Sequence, residues 1–223
     1  MATIDPKDGS LIFHVVYDGI PFSGKTESIK ALGRVLDRPV TTPDEDDGRT
    51  LFFDWLEYEG GLRMGRPIRC RVIAVPGQDA LVGRRSTILA AADVVIFVFD
   101  SSPEGFARSI DHFRDLQRRL STRERKIPVL IQVNKQDVTG AVPPSVVLDN
   151  IGSGYRSFPT VATEAQGVRA AFVLSVGEAL RSLESAEKLY SQGDSFTTQE
   201  LSIPSPEELS RILQEVGGPA ESR

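Results

Sequence analysis

The octapeptide Gly19-Ile20-Pro21-Phe22-Ser23-Gly24-Lys25-Thr26 follows the apolar run Leu11–Tyr17 and leads into residues with helical spacing. A buried strand that enters a helix through a glycine turn is the first half of a βα unit, so most all-helical and all-β architectures are excluded at once. The pattern G-x-x-x-x-G-K-[ST] also has a chemistry. Glycines let the backbone bend and aim its N–H groups inward, and the following helix adds its positive end. On this reading Gly19, Ser23, Gly24 and Lys25 cradle phosphates, Lys25 reaches the β- and γ-phosphates, and the Thr26 hydroxyl ligates Mg²⁺. The plain alternative is a strand-to-helix turn with a stray lysine; the strand before and the helix after weigh against it. Pro21 has no N–H and a fixed φ, so it removes one phosphate donor and stiffens the loop.

The remainder of the chain extends the same architecture. Ile29, Leu32, Val35 and Leu36 recur at helix spacing behind the loop. Residues 50–59 and 68–77 read as two strands of a hairpin around "GGLRMGRP". The near-continuous apolar runs in 93–102 and 127–135 fit central strands covered on both faces. Residues 104–120 and 167–190 read as helices, and 157–163 as a weaker sixth strand. The expected fold is α/β: a P-loop domain with a six-stranded, mostly parallel sheet between helices and one antiparallel edge strand. Residues 1–192 form that domain. Residues 193–223 form a polar linker and a tail helix, with Ser205, Pro206 and Glu208 as its start signal and Leu209, Ile212, Leu213 and Val216 as its apolar stripe.

Composition narrows the partners. Twenty-six basic against 31 acidic side chains leave a net charge of −5, which argues against a general binder of nucleic acid. One cysteine, Cys70, excludes an internal disulfide framework and suits a reducing cytoplasm; it is expected to pack in a strand. No run is long enough to span a membrane, no signal peptide precedes the domain, and neither Met1-Ala2 nor the final "AESR" is a lipidation signal, so no stable membrane anchor is expected.

Asn134-Lys135-Gln136-Asp137, after the strand "VLIQV", matches N-K-x-D. A carboxylate at Asp137 can accept two hydrogen bonds from guanine's ring N–H and amino group, which adenine cannot offer. Such a site discriminates strongly, because the wrong base leaves a buried charge unpaired. Lys135 would lie against the base and Asn134 would brace the phosphate loop. Ala162 would offer its backbone N–H to the exocyclic oxygen. Between these motifs lie candidate γ-phosphate sensors. Gly77 can bond the γ-phosphate through its N–H and Gln78 can orient a water. Thr50 is the candidate second Mg²⁺ threonine. Arg49 beside it could act as an arginine finger in cis, although spacing alone favours a solvated loop arginine. The pattern D-x-x-G-Q would put an aspartate at position 74, where this chain has Ala74.

The segments "RTLFFDWL" and "VPGQ" resemble the MglA family of small Ras-like GTPases of bacterial polarity and gliding motility, which carries R-T-L-F-F-D-F-L and T-V-P-G-Q and lacks the same aspartate. The resemblance covers about residues 10–190. It implies a Ras-like three-layer fold and a GTP/GDP switch with Mg²⁺. It makes Thr50 and Gly77 the sensors and Arg49 and Gln78 the catalytic groups. It further implies a roadblock/LC7-type (MglB-like) partner that positions those two residues, unknown effectors, and a cytoplasmic location with recruitment to cell poles. The chain departs from the family at Ile20, Pro21 and the tail. Two rivals stand beside slow GTP hydrolysis: a nucleotide-dependent interaction module without useful turnover, which Ala74 and Pro21 favour, and a P-loop kinase or ATPase, against which N-K-Q-D weighs.

Overall fold

A computed structural model of the chain describes residues 2–41, 55–63, 66–75, 82–123 and 125–192. The apolar run before the octapeptide forms a strand, β2 (Leu11–Asp18), preceded by a two-residue strand, β1 (Thr3–Ile4); all eight β2 residues are buried. The chain then turns into helix α1 (Lys25–Leu36), runs through β3 (Trp55–Arg63) and β4 (Arg66–Ala74), and enters α2 (Val82–Ala91). It continues through β5 (Val94–Asp100), α3 (Phe106–Ser121), β6 (Val129–Asn134), α4 (Pro144–Ile151), β7 (Arg156–Pro159) and α5 (Val168–Gln192).

The sheet has the path β3-β4-β2-β5-β6-β7. This is the expected six-stranded, mostly parallel sheet, with β3 as its antiparallel edge. β1 adds a seventh strand: it pairs antiparallel with Leu11 and Ile12, beyond the point where pairing with β5 begins at Val15. Because β2 has both faces covered, its side chains divide by parity. Phe13, Val15 and Tyr17 join Ile96, Val98 and Leu130 under Ile29 and Leu32 of α1 and Val168 and Phe172 of α5. Val16 joins Phe97, Phe99, Ile131 and Val133 under Leu89 of α2, Phe113 and Leu116 of α3 and Val147 of α4. The result is three layers. Each fully buried large side chain contributes about 1.5–3 kcal/mol by area, which is why the apolar runs need no alternation.

Two expectations change in detail. The strands of the β3–β4 hairpin run to Arg63 and from Arg66, so "GGLRMGRP" is mostly strand; Gly60-Gly61 fall at a register shift between Glu59 and Leu62, where a bulge takes up the extra residue. The sixth expected strand, 157–163, ends at Pro159; the Thr160 N–H still reaches the Val133 carbonyl at 2.9 Å, after which the chain turns and Ala162–Glu164 form a 3-10 turn. Cys70 is buried in β4, and burial with the nearby Asp93 charge pushes its thiol up to about 12, so it packs as the sequence suggests. The tail, residues 193–223, lies outside the described residues. Among the described residues no helix is long and apolar enough to cross a membrane.

Candidate functional site

β2 leads to β4 on one side and β5 on the other, so the strand order reverses at its carboxyl end. Open α/β sheets bind ligands in that crevice. Residues 19–24 occupy it. Gly19 has φ 149° and a Cβ there would strike the Val98 carbonyl; Gly24 has φ 102° and a Cβ would strike the Asn134 amide. Both glycines are therefore required by space and by conformation. Gly24 caps α1 with no side-chain hydrogen bond, which leaves first-turn N–H groups of the helix for a ligand. Ser23 Oγ is buried without a hydrogen-bond partner among the described residues. Lys25 Nζ donates to the carbonyls of Gly19 at 2.8 Å and Ile20 at 2.7 Å, so the side chain ties the helical end of the loop back to its first two residues. Thr26 follows in the first turn of α1. This is a cradle with donors and a cation, suited to an anion.

Pro21 and Phe22 form the corner of a turn closed by Ser23 N–H on the Ile20 carbonyl at 3.3 Å. Phe22 takes the left-handed conformation, φ 64°, with its ring 90% exposed. That conformation costs a non-glycine residue about 1–2 kcal/mol, so the rigidity that Pro21 brings to the loop is matched by local strain.

The second motif sits beside the first. Asn134 ends β6 and is buried; its Nδ2 donates to the Ser23 carbonyl at 2.8 Å, while its Oδ1 accepts from the Ala162 N–H at 3.0 Å and the Thr160 hydroxyl at 3.1 Å. One amide thus joins the phosphate loop to the turn after β7. The Ala162 N–H expected to face a base oxygen is engaged with Asn134, and a base would have to share it. Lys135 also lies in the left-handed region, φ 66°, and its Nζ pairs with Asp100 Oδ2 at 2.7 Å. Gln136 donates to Ser101 Oγ at 2.8 Å and the Val142 carbonyl at 3.0 Å, and Asp137 follows, exposed on the turn. Gly105 is needed here because a Cβ would collide with the Asp100 carboxylate.

Of the expected site residues, the structure brings Gly19, Ser23, Gly24, Lys25, Thr26, Asn134, Lys135, Asp137 and Ala162 to the carboxyl end of the sheet, after β2, β6 and β7. Arg49, Thr50, Gly77 and Gln78 lie outside the described residues. Ala74 is buried in the core as the last residue of β4. Among the described residues no three His, Cys, Asp or Glu side chains gather to hold a metal.

The structure adds residues that sequence reasoning passed over. Gln132 Nε2 donates to Ser28 Oγ at 2.6 Å, and that hydroxyl donates to the Gly24 carbonyl at 2.8 Å, so β6 also grips the start of α1. The signal was one polar residue inside an apolar strand, because a buried amide needs partners. Asp18, the last residue of β2, is buried and accepts from the Gly19 N–H at 2.8 Å. Burial alone would raise its pKa; the His112 bond and the Arg85 guanidinium outweigh that and hold the carboxyl at about 2, below the ordinary 3.8. A depressed carboxylate adds stability that is complete above pH 3.8 and is lost as pH falls through 2. Asp18→Asn is therefore expected to flatten the fall in melting temperature across that acid window, read from thermal unfolding at a series of pH values.

The chain is similar to several G proteins. The family model described as the Gtr1/RagA G protein conserved region matches residues 59–151. The mutual gliding-motility protein MglA of Myxococcus xanthus (strain DK1622) is 33% identical over 136 residues, covering 57% of this chain and 69% of that protein. The Arl6 BBS3 small GTPase from Trypanosoma brucei, solved with the nucleotide analogue GppNp, superposes with a TM-score of 0.58 at 20% identity, over 77% of this chain and 99% of the other; at that identity it speaks for the fold alone.

Proposed function

The chain belongs to the MglA-like Ras-like small GTPases, and from that premise we propose a guanine-nucleotide switch that hydrolyses GTP slowly alone and faster with a partner. The observation that carries the reading is the Asn134 amide, which bonds the phosphate loop through Ser23 and the guanine-side turn through Ala162. A loop that holds phosphates and a turn that holds a base are built as one unit. In this reading Gly19, Ser23, Gly24 and Lys25 bind the phosphates, with Thr50 and Gly77 sensing the γ-phosphate. Asp137 reads guanine, with Lys135 beside the base. The Thr26 and Thr50 hydroxyls would hold Mg²⁺, which would supply neutralisation of phosphate charge. The lone buried Ser23 hydroxyl and the glycine cradle fit such a nucleotide. Hydrolysis is in-line attack of water on the γ-phosphate, with Gln78 orienting the water and Arg49 countering charge; positioning and charge stabilisation do most of the chemistry.

The finer statements rest on likeness to MglA. We place the protein in the cytoplasm with recruitment to cell poles, in polarity, motility or related regulation. A roadblock/LC7-type, MglB-like protein is its activator. Ala74 and Pro21 favour the second reading, an interaction module without useful turnover. Phosphate release over many turnovers, with and without a roadblock-type partner, separates the two.

The direct test of the base reading is displacement of a fluorescent GDP. GDP and GTP should compete far better than ATP, and Asp137→Asn should move the preference towards xanthine nucleotides, whose extra carbonyl accepts the new amide donor. Equal displacement by ATP and GDP would sink the guanine reading and restore the ATPase alternative. Deleting residues 193–223 is expected to spare nucleotide affinity and to change partner binding or oligomeric state; a large fall in melting temperature with partner binding intact would instead make the tail a cap on the domain.

A further inference from the structure

We propose that Arg85 is a positioning residue that latches the first turn of α2 to the foot of the phosphate loop, so that the loop's state is transmitted to α2 through protein contacts. The contact chain is short. Arg85 Nη2 lies 2.7 Å and Nε 3.3 Å from Asp18 Oδ2, while Nη1 reaches Asp115 Oδ2 on α3 at 3.1 Å. Asp18 Oδ1 accepts from the Gly19 N–H at 2.8 Å, and the Gly19 carbonyl accepts from Lys25 Nζ at 2.8 Å. Two side chains and one backbone residue thus separate α2 from the loop's cation. The pair is out of water: Asp18 is 1% and Arg85 9% exposed.

The other charges at the cluster belong to α3. His112 Nε2 faces Asp18 Oδ1 at 3.4 Å, and Arg119 holds Asp115 Oδ2 at 2.7 Å and Ser86 Oγ of α2 at 3.2 Å. Arg118 adds a 3.5 Å contact to Asp115 on the outer side. α3 therefore backs the latch from one side and β2 from the other. Burial of an ion pair is poor stabilisation compared with apolar packing of similar volume. What this one adds is direction: a planar fork that fits Asp18 and Asp115 together only at one placement of α2.

The consequence concerns discrimination between nucleotides, and it rests on the guanine-nucleotide reading above. α2 follows Gly77, the proposed γ-phosphate sensor, in the sequence, and a triphosphate would favour one placement of the helix. With α2 already held, a triphosphate binds more tightly than it would to a loose helix. A diphosphate does not draw on the latch.

Asp18→Asn and Arg85→Lys separate this role from simple bulk. Asp18→Asn keeps an oxygen for the Gly19 N–H and loses the charged acceptor for Arg85. Arg85→Lys keeps the charge and loses the fork. Both variants are expected to bind GTPγS about tenfold more weakly while GDP affinity stays within about twofold, and the double variant should be no worse than either single one, as for residues acting through one contact. Amides of α2 should exchange faster in both variants without any nucleotide, while those of β5 keep their protection. Asp115→Asn, at the cluster's outer rim, leaves no buried charge alone and should give a smaller loss in the same direction, which covers the event that Asp18→Asn folds poorly. Unchanged α2 exchange, full rescue by lysine, or equal losses for GTPγS and GDP would overturn the latch. If the wild type binds no guanine nucleotide, the proposed function fails, and α2 exchange alone decides the latch.

Discussion

Asn134→Ala is expected to lower folding stability by about 2–4 kcal/mol and to weaken guanine-nucleotide binding about a hundredfold. The side chain makes three buried hydrogen bonds, to the Ser23 carbonyl, the Ala162 N–H and the Thr160 hydroxyl. Its loss leaves the Ser23 carbonyl and the Ala162 N–H without that partner and uncouples the two halves of the site. Gly24→Ala should be nearly as damaging by the opposite route, since its Cβ meets the same amide and its φ of 102° is hostile to a side chain. The double variant makes the prediction sharp. With Asn134 cut to alanine the collision disappears and only the backbone strain remains, so the combined loss should fall short of the sum of the single losses by at least about 1 kcal/mol. Urea unfolding of the four proteins measures this. Strict additivity would mean that Asn134 does not press against the loop as described.

The glycine loop and the N-K-x-D turn were legible in the sequence because they depend on residue types at fixed short spacing. Gly24 has a local reason to be glycine, its φ of 102°, whatever Asn134 adds, and Lys25 follows it. Core strands were legible too, since β2 and β5 are apolar on both faces and announce themselves as unbroken runs. Helix α2 was harder. Its buried Arg85 breaks the apolar stripe, and the partner that makes burial tolerable, Asp18, is 67 residues away. Helix α4 offers just eight residues, with Val147 and Ile151 as its buried pair, too few to establish a period. β1 has two residues and exists because the start of β2 overhangs β5. The end of β7 was misjudged because Thr160 and Val161 look strand-like; the turn that delivers Ala162 to Asn134 overrides that propensity. For α2, β1 and the end of β7, long-range pairing was the missing information.

Arg49→Ala and Gln78→Ala are expected to have the largest kinetic effect of all. Both residues belong to segments that neither the phosphate loop nor the guanine turn contains. In the proposed mechanism they meet the γ-phosphate only when a partner holds them there. Basal hydrolysis should therefore be slow, and a roadblock-type activator should accelerate it by as much as roughly 10³–10⁵-fold, the range of arginine-finger systems. Either alanine variant should abolish most of that acceleration and leave GTP affinity nearly unchanged, because the interactions are made mainly in the transition state. Lys25→Ala supplies the contrast: Lys25 sits inside the loop between the Gly19 and Ile20 carbonyls, so its loss should weaken binding itself. Single-turnover hydrolysis beside equilibrium binding of GTPγS separates the two patterns. Wild-type stimulated rates in both alanine variants, with the activator still bound, would move the arginine to the partner and leave Arg49 a loop residue. A uniform loss of binding and turnover would instead mean that Arg49 and Gln78 hold the ground state, and that catalytic power comes from the loop and its cation alone.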